Sequence, residues 1–146
     1  LKLQFESAWV LTNIGASTTE LVTLLVKNNA IEAFVHLFRT TNDPSIADQA
    51  IWGIGNIAGD QKRFKDRILR TGFLNDVVSN IFDLSEEMQK NTVWTLSNLF
   101  RYKDPLQISD IHETVKVLNR FLREHNNYHD DVIVDCIWAI YYISNN

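Results

Sequence analysis

Apolar residues recur at helical spacing around each of the four tryptophans of the chain. If each tryptophan is position zero of an α-helix that turns by about 100° per residue, positions −1, +2 and +5 form one apolar stripe that faces a core. The stripe residues are Ala8, Leu11, Ile14, Ile51, Ile54, Ile57, Val93, Leu96, Leu99, Ile137, Ile140 and Ile143. The tryptophan and the residue at +4 fall on the other side. The pattern therefore predicts four helices that each bury one face and present an aromatic and polar face away from that core.

The polar sides of these helices share the pattern Trp-x-x-x-Asn, with Tyr in place of Asn in the last copy. The four pairs are Trp9–Asn13, Trp52–Asn56, Trp94–Asn98 and Trp138–Tyr142. Successive tryptophans are 43, 42 and 44 residues apart. A helical repeat with a period in the low forties is typical of a stacked-helix solenoid of the armadillo or HEAT type.

Shorter helices are predicted between the tryptophan-bearing ones, at residues 20–27, 30–39, 62–69, 73–84 and 109–123. The first tryptophan helix is predicted at residues 1–15. Capping residues indicate where the other three begin: Ser45, Ser85, and Asp130 or Asp131. Pro105 is predicted to break a short helix.

Residues 1–146 are interpreted as one all-α unit with about three repeats and one additional helix. The additional helix, at residues 1–16, is the last helix of a truncated repeat, and the successive repeats are residues 17–59, 60–102 and 103–146. Solenoids need terminal repeats with a polar outer face. Because the pattern begins inside a repeat, we expect the chain to be part of a longer array.

The composition restricts the classes of partner. A hydrophobic content of 45% indicates a globular chain, and a net charge of −4 does not favour nucleic acid as a partner. No apolar run is long enough to span a bilayer. The single cysteine, Cys136, excludes an internal disulfide framework and is predicted to be a small buried residue.

Other clusters offer little support for catalysis. His125 and His129 have a spacing found in zinc sites, but they fall in a polar turn without a third ligand nearby, so a solvated loop is favoured. The basic run at residues 62–67 is interpreted as the exposed face of a short helix. No phosphate-binding loop or nucleophile motif occurs. We therefore predict a protein that is not an enzyme and that uses no metal or cofactor.

Two interpretations of the tryptophans remain open. Large exposed aromatic side chains are costly unless a partner covers them, which favours a binding surface. Alternatively, each tryptophan packs on the small residues that flank its neighbours and stiffens the stack. The helix around Trp52 contains Gly53 and Gly55, at a cost of about 1 kcal/mol each relative to alanine, which indicates the close approach of a helix or a ligand.

Several runs resemble the importin-alpha (karyopherin-alpha) family, and the resemblance spans the whole chain. The runs are residues 5–9 with Asn13 and Ile14, residues 49–52 with residues 55–60, residues 94–99, and residues 135–140. The repeated Trp-x-x-x-Asn pattern is not general among armadillo repeats. The resemblance implies a right-handed superhelical armadillo solenoid that corresponds to the family's repeats two to five, which hold its major signal-binding site.

The resemblance also implies a function as a nuclear import adaptor. In the family, asparagines in a concave groove hold the backbone of an extended peptide, and tryptophans form slots for the stems of Lys and Arg. The partners are the basic nuclear-localisation signals of cargo proteins, and the proteins occur in cytoplasm and nucleus. The family's importin-beta-binding basic segment is absent from these residues. The implied peptide-binding residues are Trp9, Asn13, Gln49, Trp52, Asn56, Asp60, Trp94, Asn98, Arg101, Asp135, Trp138 and Tyr142.

The chain also departs from the family's pattern. Asp60 matches an acid that takes a lysine of the signal, but a threonine that lines this pocket in the family corresponds to Val22, so the pocket is expected to be less well lined. A catenin-like scaffold with a different protein partner is the alternative. Such a scaffold would favour a basic groove, whereas the acids Glu6, Asp60 and Asp135 are opposed mainly by Arg101.

Overall fold

The structure, a computed structural model, describes residues 2–103 and 108–145 and is helical throughout its regular elements. The α-helices are α1 (Lys2–Gly15), α2 (Thr19–Lys27), α3 (Ala30–Thr40), α4 (Pro44–Asp60), α5 (Lys62–Arg70), α6 (Phe73–Asn80), α7 (Glu86–Phe100), α8 (Ile108–Arg123) and α9 (Asp130–Ser144). Two 3₁₀ turns, at Ile81–Asp83 and His125–Asn127, precede α7 and α9. The prediction of an all-α chain is confirmed, and the four tryptophan helices are α1, α4, α7 and α9.

The described chain divides into two compact units, Leu1–Phe73 and Leu74–Asn146. In the first unit, α4 is the central element, because α1, α3 and α5 all pack against it. Its stripe residues Ile51, Ile54 and Ile57 are fully buried. The 3.6-residue period of the sequence thus places the apolar side of α4 in the core as predicted.

The close approach of α3 to α4 depends on a glycine. A Cβ atom added to Gly53 would lie 2.5 Å from Cζ of Phe34, and the Phe34 ring is itself buried in the core. The predicted close approach at Gly53 is therefore the contact of α4 with a phenylalanine of its own unit.

In the second unit, α9 packs against both α7 and α8. The α7 stripe residues Val93, Leu96 and Leu99 are fully buried. The Phe121 ring of α8 lies 5.0 Å from the Phe82 ring and 4.6 Å from the Tyr128 ring, measured between centroids. Phe82 lies in the first 3₁₀ turn and Tyr128 directly follows the second. The ring contacts therefore link both turns to α8.

The predicted helix boundaries agree closely with the structure, with two exceptions. Ser85 caps α7 as predicted, its hydroxyl accepting from the Met88 N–H at 3.4 Å. However, the cap of α4 is Asp43, whose Oδ1 accepts from the Ser45 N–H at 2.9 Å, because Pro44 occupies the first helical position. The predicted helix 73–84 ends as an α-helix at Asn80 and continues as a 3₁₀ turn. The predicted break at Pro105 lies outside the described residues.

Two predictions about side-chain exposure are wrong. Ile137 was expected in the core stripe of α9 but is 54% exposed. The basic run at residues 62–67 was expected to be an exposed face. Instead the Lys65 side chain is buried, with its Nζ 3.1 Å from Asp66 Oδ1, because α5 turns this side toward the core of its unit.

Arg67 of the same run holds α5 to the connection between α2 and α3. Its guanidinium makes two bonds of 2.7 Å to the Glu32 carboxylate. It also donates to the Val26 carbonyl oxygen and to Asn29 Oδ1, both at 3.0 Å. Asn29 has a φ of 62°, in the left-handed region that asparagine tolerates better than most residues. Arg67 is therefore a structural residue of the first unit.

Among the described residues, no single helix has the length and apolar character needed to cross a membrane. The pair α2 and α3, bent by 67°, meets those requirements only when taken together.

Candidate functional site

The first unit presents two of the four Trp–Asn pairs, on α1 and α4. The indoles of Trp9 and Trp52 are 46% and 40% exposed, respectively. Asn13 is exposed and Asn56 is partly buried. Since α1 and α4 pack directly on each other, both pairs belong to one pair of adjacent helices.

Hydrogen bonds join the polar sides of α1 and α4. The Thr12 hydroxyl donates to the Gln49 carbonyl oxygen at 3.2 Å, and Asn56 Nδ2 donates to the Thr12 carbonyl oxygen, also at 3.2 Å. An amide group has two N–H donors and one acceptor oxygen, so Asn56 has capacity beyond this bond. The Gln49 side chain is buried, and its Oε1 accepts no hydrogen bond from the part of the chain that the structure describes.

Asp60 is the last residue of α4, where a carboxylate is disfavoured by the negative end of the helix dipole. Its Oδ1 accepts a hydrogen bond of 2.9 Å from the hydroxyl of Thr19, the first residue of α2. The positive end of the α2 dipole thus offsets part of the unfavourable interaction between the Asp60 carboxylate and the α4 dipole. The other carboxylate oxygen, Oδ2, is buried and has no hydrogen-bond partner among the described residues.

Val22 of α2 stands where the resemblance places a threonine, and its side chain is fully buried in the core. The hydroxyl beside Asp60 comes from Thr19 instead. The sequence contained no signal for this contact, because it depends on how the start of α2 meets the end of α4.

The second unit presents the other two pairs, on α7 and α9. Trp94 and Asn98 are partly buried, and Arg101, just after α7, is exposed. The Ser97 hydroxyl donates to the Trp94 carbonyl oxygen at 2.8 Å, within the same helix.

On α9 the aromatic side chains contact one another. The Trp138 ring, 48% exposed, lies 5.7 Å from the Tyr142 ring with an angle of 25° between their planes. Tyr141 meets both rings edge to face, at 5.7 Å and 5.6 Å. Three rings therefore form one partly exposed aromatic cluster, and in this cluster a phenol stands at the position where the other helices have an amide.

Asp135 lies one turn before Trp138 and is partly buried. Burial raises the pKa of its carboxyl group, and the nearby Asp131 carboxylate raises that pKa further, while the Lys90 ammonium opposes the shift. Lys90 forms an ion pair with Asp131, and this pairing holds the pKa of Asp131 below its usual value. Asp135 is thus an acid whose charged form lacks full compensation in the unit.

The twelve predicted residues are divided evenly between the units. The first carries Trp9, Asn13, Gln49, Trp52, Asn56 and Asp60, and the second carries Arg101, Trp94, Asn98, Asp135, Trp138 and Tyr142. That these residues bind a peptide stays a prediction. Sequence reasoning missed Thr19 and Thr12, whose hydroxyls contact the Asp60 and Gln49 positions.

His125 and His129 form no potential metal site with other residues of the described part of the chain. Among the described residues, no group of three or more His, Cys, Asp or Glu side chains could hold a metal ion. The His125 Nδ1 atom lies 3.2 Å from the Leu122 carbonyl oxygen, and both histidines are exposed.

The fold and the sequence both have known relatives. The family model of the armadillo/beta-catenin-like repeat matches residues 18–59, which contain α2, α3 and all of α4 except Asp60. A designed armadillo repeat protein in complex with peptide (KR)4 superposes with a TM-score of 0.78 at 24% identity, covering 95% of this chain and 57% of that one. A second designed armadillo repeat protein gives a TM-score of 0.79 at 21% identity, with the same coverage.

The sequence matches importin alpha subunits over nearly its full length. It is 33% identical to importin subunit alpha-2 of Arabidopsis thaliana over 145 residues, and 31% identical to importin subunit alpha-1b of Oryza sativa subsp. japonica. The chain has an armadillo-type fold, and its sequence is similar to that of importin alpha subunits. Each alignment covers 99% of the chain but 26% of the relative, so these armadillo repeats span about a quarter of the length of the importin alpha subunits that they match.

Proposed function

We propose that this chain binds extended Lys/Arg-rich peptides of the nuclear-localisation-signal type and serves as a cargo-binding part of a nuclear import adaptor. The observation that carries the proposal is the Trp–Asn pair repeated on α1, α4 and α7, with the indoles of Trp9 and Trp52 well exposed. The function is binding rather than catalysis.

The chemistry of these faces suits a basic peptide. An indole face attracts an ammonium or guanidinium group by about 0.5–2 kcal/mol, and the methylene stem of Lys or Arg packs along the ring. An asparagine amide both donates to and accepts from a peptide backbone. A face that alternates indole and amide therefore combines recognition of cationic side chains with recognition of an extended main chain.

The acids of the two units add charge complementarity. Asp60 carries one carboxylate oxygen without a hydrogen-bond partner among the described residues, and Asp135 is destabilised in its charged form. A cation placed beside either carboxylate would supply the missing compensation. The net charge of −4 acts in the same direction at longer range.

The relatives support the same proposal. Those matched over nearly the whole chain are named as importin alpha subunits, and a designed armadillo repeat protein of similar fold forms a complex with the peptide (KR)4. For the longer protein of which such repeats form part, we propose cargo proteins with basic signals as partners and both cytoplasm and nucleus as locations.

Titration of a fluorescently labelled Lys/Arg-rich peptide tests the proposal directly. We expect binding at micromolar or lower dissociation constant, weakened by added salt. Reversing the charge in Asp60→Lys should weaken binding at least tenfold, equal to about 1.4 kcal/mol. Trp52→Ala should also weaken binding, because it removes an indole on which a cationic side chain would pack. The substitution removes no observed hydrogen bond of the folded chain.

Matched controls separate a specific face from general electrostatics. Glu113→Lys makes the same charge change at an exposed position of α8, and Leu24→Ala truncates an exposed apolar side chain of α2. Both controls should bind within about twofold of the parent. Equal binding of a peptide with every Lys and Arg replaced by Ala would rule the proposal out and would favour a scaffold of the catenin-like type with a different protein partner.

A further inference from the structure

We propose that the peptide position over α9 takes an apolar side chain rather than a basic one, and that Tyr141 determines this selectivity. The inference rests on the proposed peptide-binding function and concerns one position of the bound peptide. It distinguishes α9 from α1, α4 and α7, where the proposed function places basic side chains on the indoles.

Tyr141 stands three residues after its tryptophan, at a position where the other tryptophan helices carry small residues. Those residues are Thr12, Gly55 and Ser97. Tyr141 contacts the Trp138 ring, whereas the indoles of α1, α4 and α7 contact no aromatic ring in the part of the chain that the structure describes. The indole of α9 therefore has aromatic neighbours that the other described indoles lack.

The contacts among Trp138, Tyr141 and Tyr142 use the ring faces that a cation would need. Tyr142 stacks on Trp138 with 25° between the planes, which covers one face of each ring. Tyr141 meets Trp138 at 86° and Tyr142 at 61°. In such edge-to-face contacts the positive edge of one ring lies on the negative face of another. A peptide ammonium or guanidinium group would therefore compete with ring edges for these faces.

The rings of this cluster also lie too close together to enclose a cation. The centroid distances are 5.7 Å from Trp138 to each tyrosine and 5.6 Å between the tyrosines, so the rings are in mutual contact. A cation enclosed by aromatic rings needs space between them. The cluster is thus a closed aromatic surface rather than a slot for the stem of Lys or Arg.

The exposed part of this surface suits an apolar side chain. Trp138 is 48% and Tyr141 53% exposed, and large exposed aromatic side chains are unfavourable unless a partner covers them. An aliphatic side chain on the cluster would remove apolar surface of both partners from water. A lysine in the same place would lose part of the hydration of its ammonium group for ring faces that are already in use.

Asp135 serves a neighbouring position rather than the ring cluster. Lys90 of α7 forms an ion pair with Asp131, which lies one turn before Asp135, so this part of α9 adjoins α7. A peptide cation that compensates Asp135 is therefore placed toward α7. The position over Trp138, Tyr141 and Tyr142 is left to an apolar side chain.

The apolar residue should stand about three residues from the peptide residue that α7 binds. Helices α7 and α9 pack directly on each other. Packed helices lie about 8–10 Å apart, and an extended peptide rises about 3.3 Å per residue. Because either direction of the peptide chain satisfies this spacing, the test peptides carry the variable residue at one end or the other.

The experiment uses fluorescent peptides with a basic core of about six Lys and Arg residues, enough to span two helix intervals. A Gly-Xaa-Gly extension, with Leu, Lys or Gly as Xaa, is added at the N-terminal or the C-terminal end. Titrations at about 0.15 M salt screen the long-range attraction of an added lysine. At one end, we expect the parent to bind the Leu peptide at least about threefold more tightly than the Lys peptide.

Variants of Tyr141 assign the preference to its ring. Tyr141→Ser gives α9 the small residue that α7 has at this position and should reduce the preference for Leu over Lys at least about fivefold. Tyr141→Phe keeps the ring and should retain the preference within about twofold. Leu24→Ser is the matched control, because it replaces an exposed apolar side chain of α2 by serine, and it should leave the preference unchanged.

Thermal unfolding of each variant checks that the folded state is retained. Tyr141→Thr, which introduces the residue that α1 has at this position, repeats the test if the serine variant does not fold. The comparison of Leu and Lys peptides on the parent needs no variant at all.

The outcomes separate this proposal from the proposed function. If the parent binds the basic core but favours Lys over Leu at both ends, the selectivity assigned to α9 is wrong and the peptide-binding function stands. The same conclusion follows if Tyr141→Ser leaves the preference unchanged, or weakens the Leu, Lys and Gly peptides equally. If the parent does not bind the basic core, both proposals fail.

Discussion

The helices α4 and α9 carry the same sequence pattern in different surroundings. In the first unit α4 is covered by α1, α3 and α5, whereas in the second unit α9 contacts α7 and α8. At position −1 of the pattern, Ile51 is fully buried but Ile137 is 54% exposed. At position +1, Gly53 adjoins the Phe34 ring, whereas Ala139 is accommodated and buried. The shared apolar pattern is thus fully buried in α4 and partly exposed in α9.

The comparison shows which structural features of one copy of a repeated motif can be predicted for another copy. The motif fixes which side of each helix is apolar, since that depends on spacing alone. It does not fix how much of that side is covered, since coverage depends on which other helices are placed against it. On the polar side the two helices differ in sequence, because α4 has an amide where α9 has the phenol of an aromatic cluster.

The largest expected difference concerns the two isoleucines at position −1. Ile51→Ala should destabilise the chain by about 2–5 kcal/mol, because it creates a cavity in a packed core. Ile137→Ala should cost well under half as much, since that side chain is already largely in water. Denaturant unfolding monitored by circular dichroism measures both values. Equal losses would show that the two helices are equally enclosed.

A smaller loss of stability is expected when polar contacts within each unit are removed. Arg67→Ala removes a guanidinium that serves the Glu32 carboxylate and two further acceptors, and should cost about 1.5–3 kcal/mol. In the second unit, Lys90→Ala removes an exposed ion pair with Asp131, and such pairs contribute little. The denaturant midpoint should fall clearly for Arg67→Ala and hardly at all for Lys90→Ala.

A still smaller change in stability is expected on substitution of Gly53 in α4. Gly53→Ala places a methyl group against Phe34 and should cost about 1–3 kcal/mol in overpacking, reduced by about 1 kcal/mol of improved helix propensity. Gly15→Ala is the control, because its Cβ would meet its nearest neighbour, Asn56 Cβ, at an ordinary 3.6 Å. A melting temperature that rises for Gly53→Ala would contradict the observed contact.

The smallest effect is the pH dependence at Asp135, which occupies position −3 of α9, where α4 has neutral Gln49. The pKa of Asp135 is raised in the folded state by burial and by Asp131. The folded protein therefore binds this proton more tightly than the unfolded chain, and stability falls as pH rises through the raised pKa. Asp135→Asn should remove this decline.

Melting temperatures of the parent and of Asp135→Asn between pH 4 and pH 7 provide the measurement. The Asn variant should be the more stable of the two at pH 7, with the difference shrinking toward pH 4. Lys90→Ala should widen the difference, because Lys90 opposes the shift at Asp135. A parent protein that becomes more stable, relative to the variant, as pH rises would contradict the assignment.

The sequence alone determined the helices, the repeat and the relatives. A 3.6-residue apolar period and a Trp-to-Trp interval of 42 to 44 residues are local or regular properties, so they predicted α1, α4, α7 and α9 and the apolar side of each. The Ser85 cap was also predictable, because a cap is formed within a few residues of chain.

Only the tertiary structure decided which side chains meet across helices. The contact between Thr19 and Asp60 joins residues 41 positions apart, and the bonds from Arg67 to Glu32 and from Asn56 to Thr12 join residues 35 and 44 positions apart. Such pairings depend on the packing distance and angle between helices, which the apolar spacing of a single helix does not contain. The covering of α4 and the partial covering of α9 follow from that packing, which is why one motif gives two different environments.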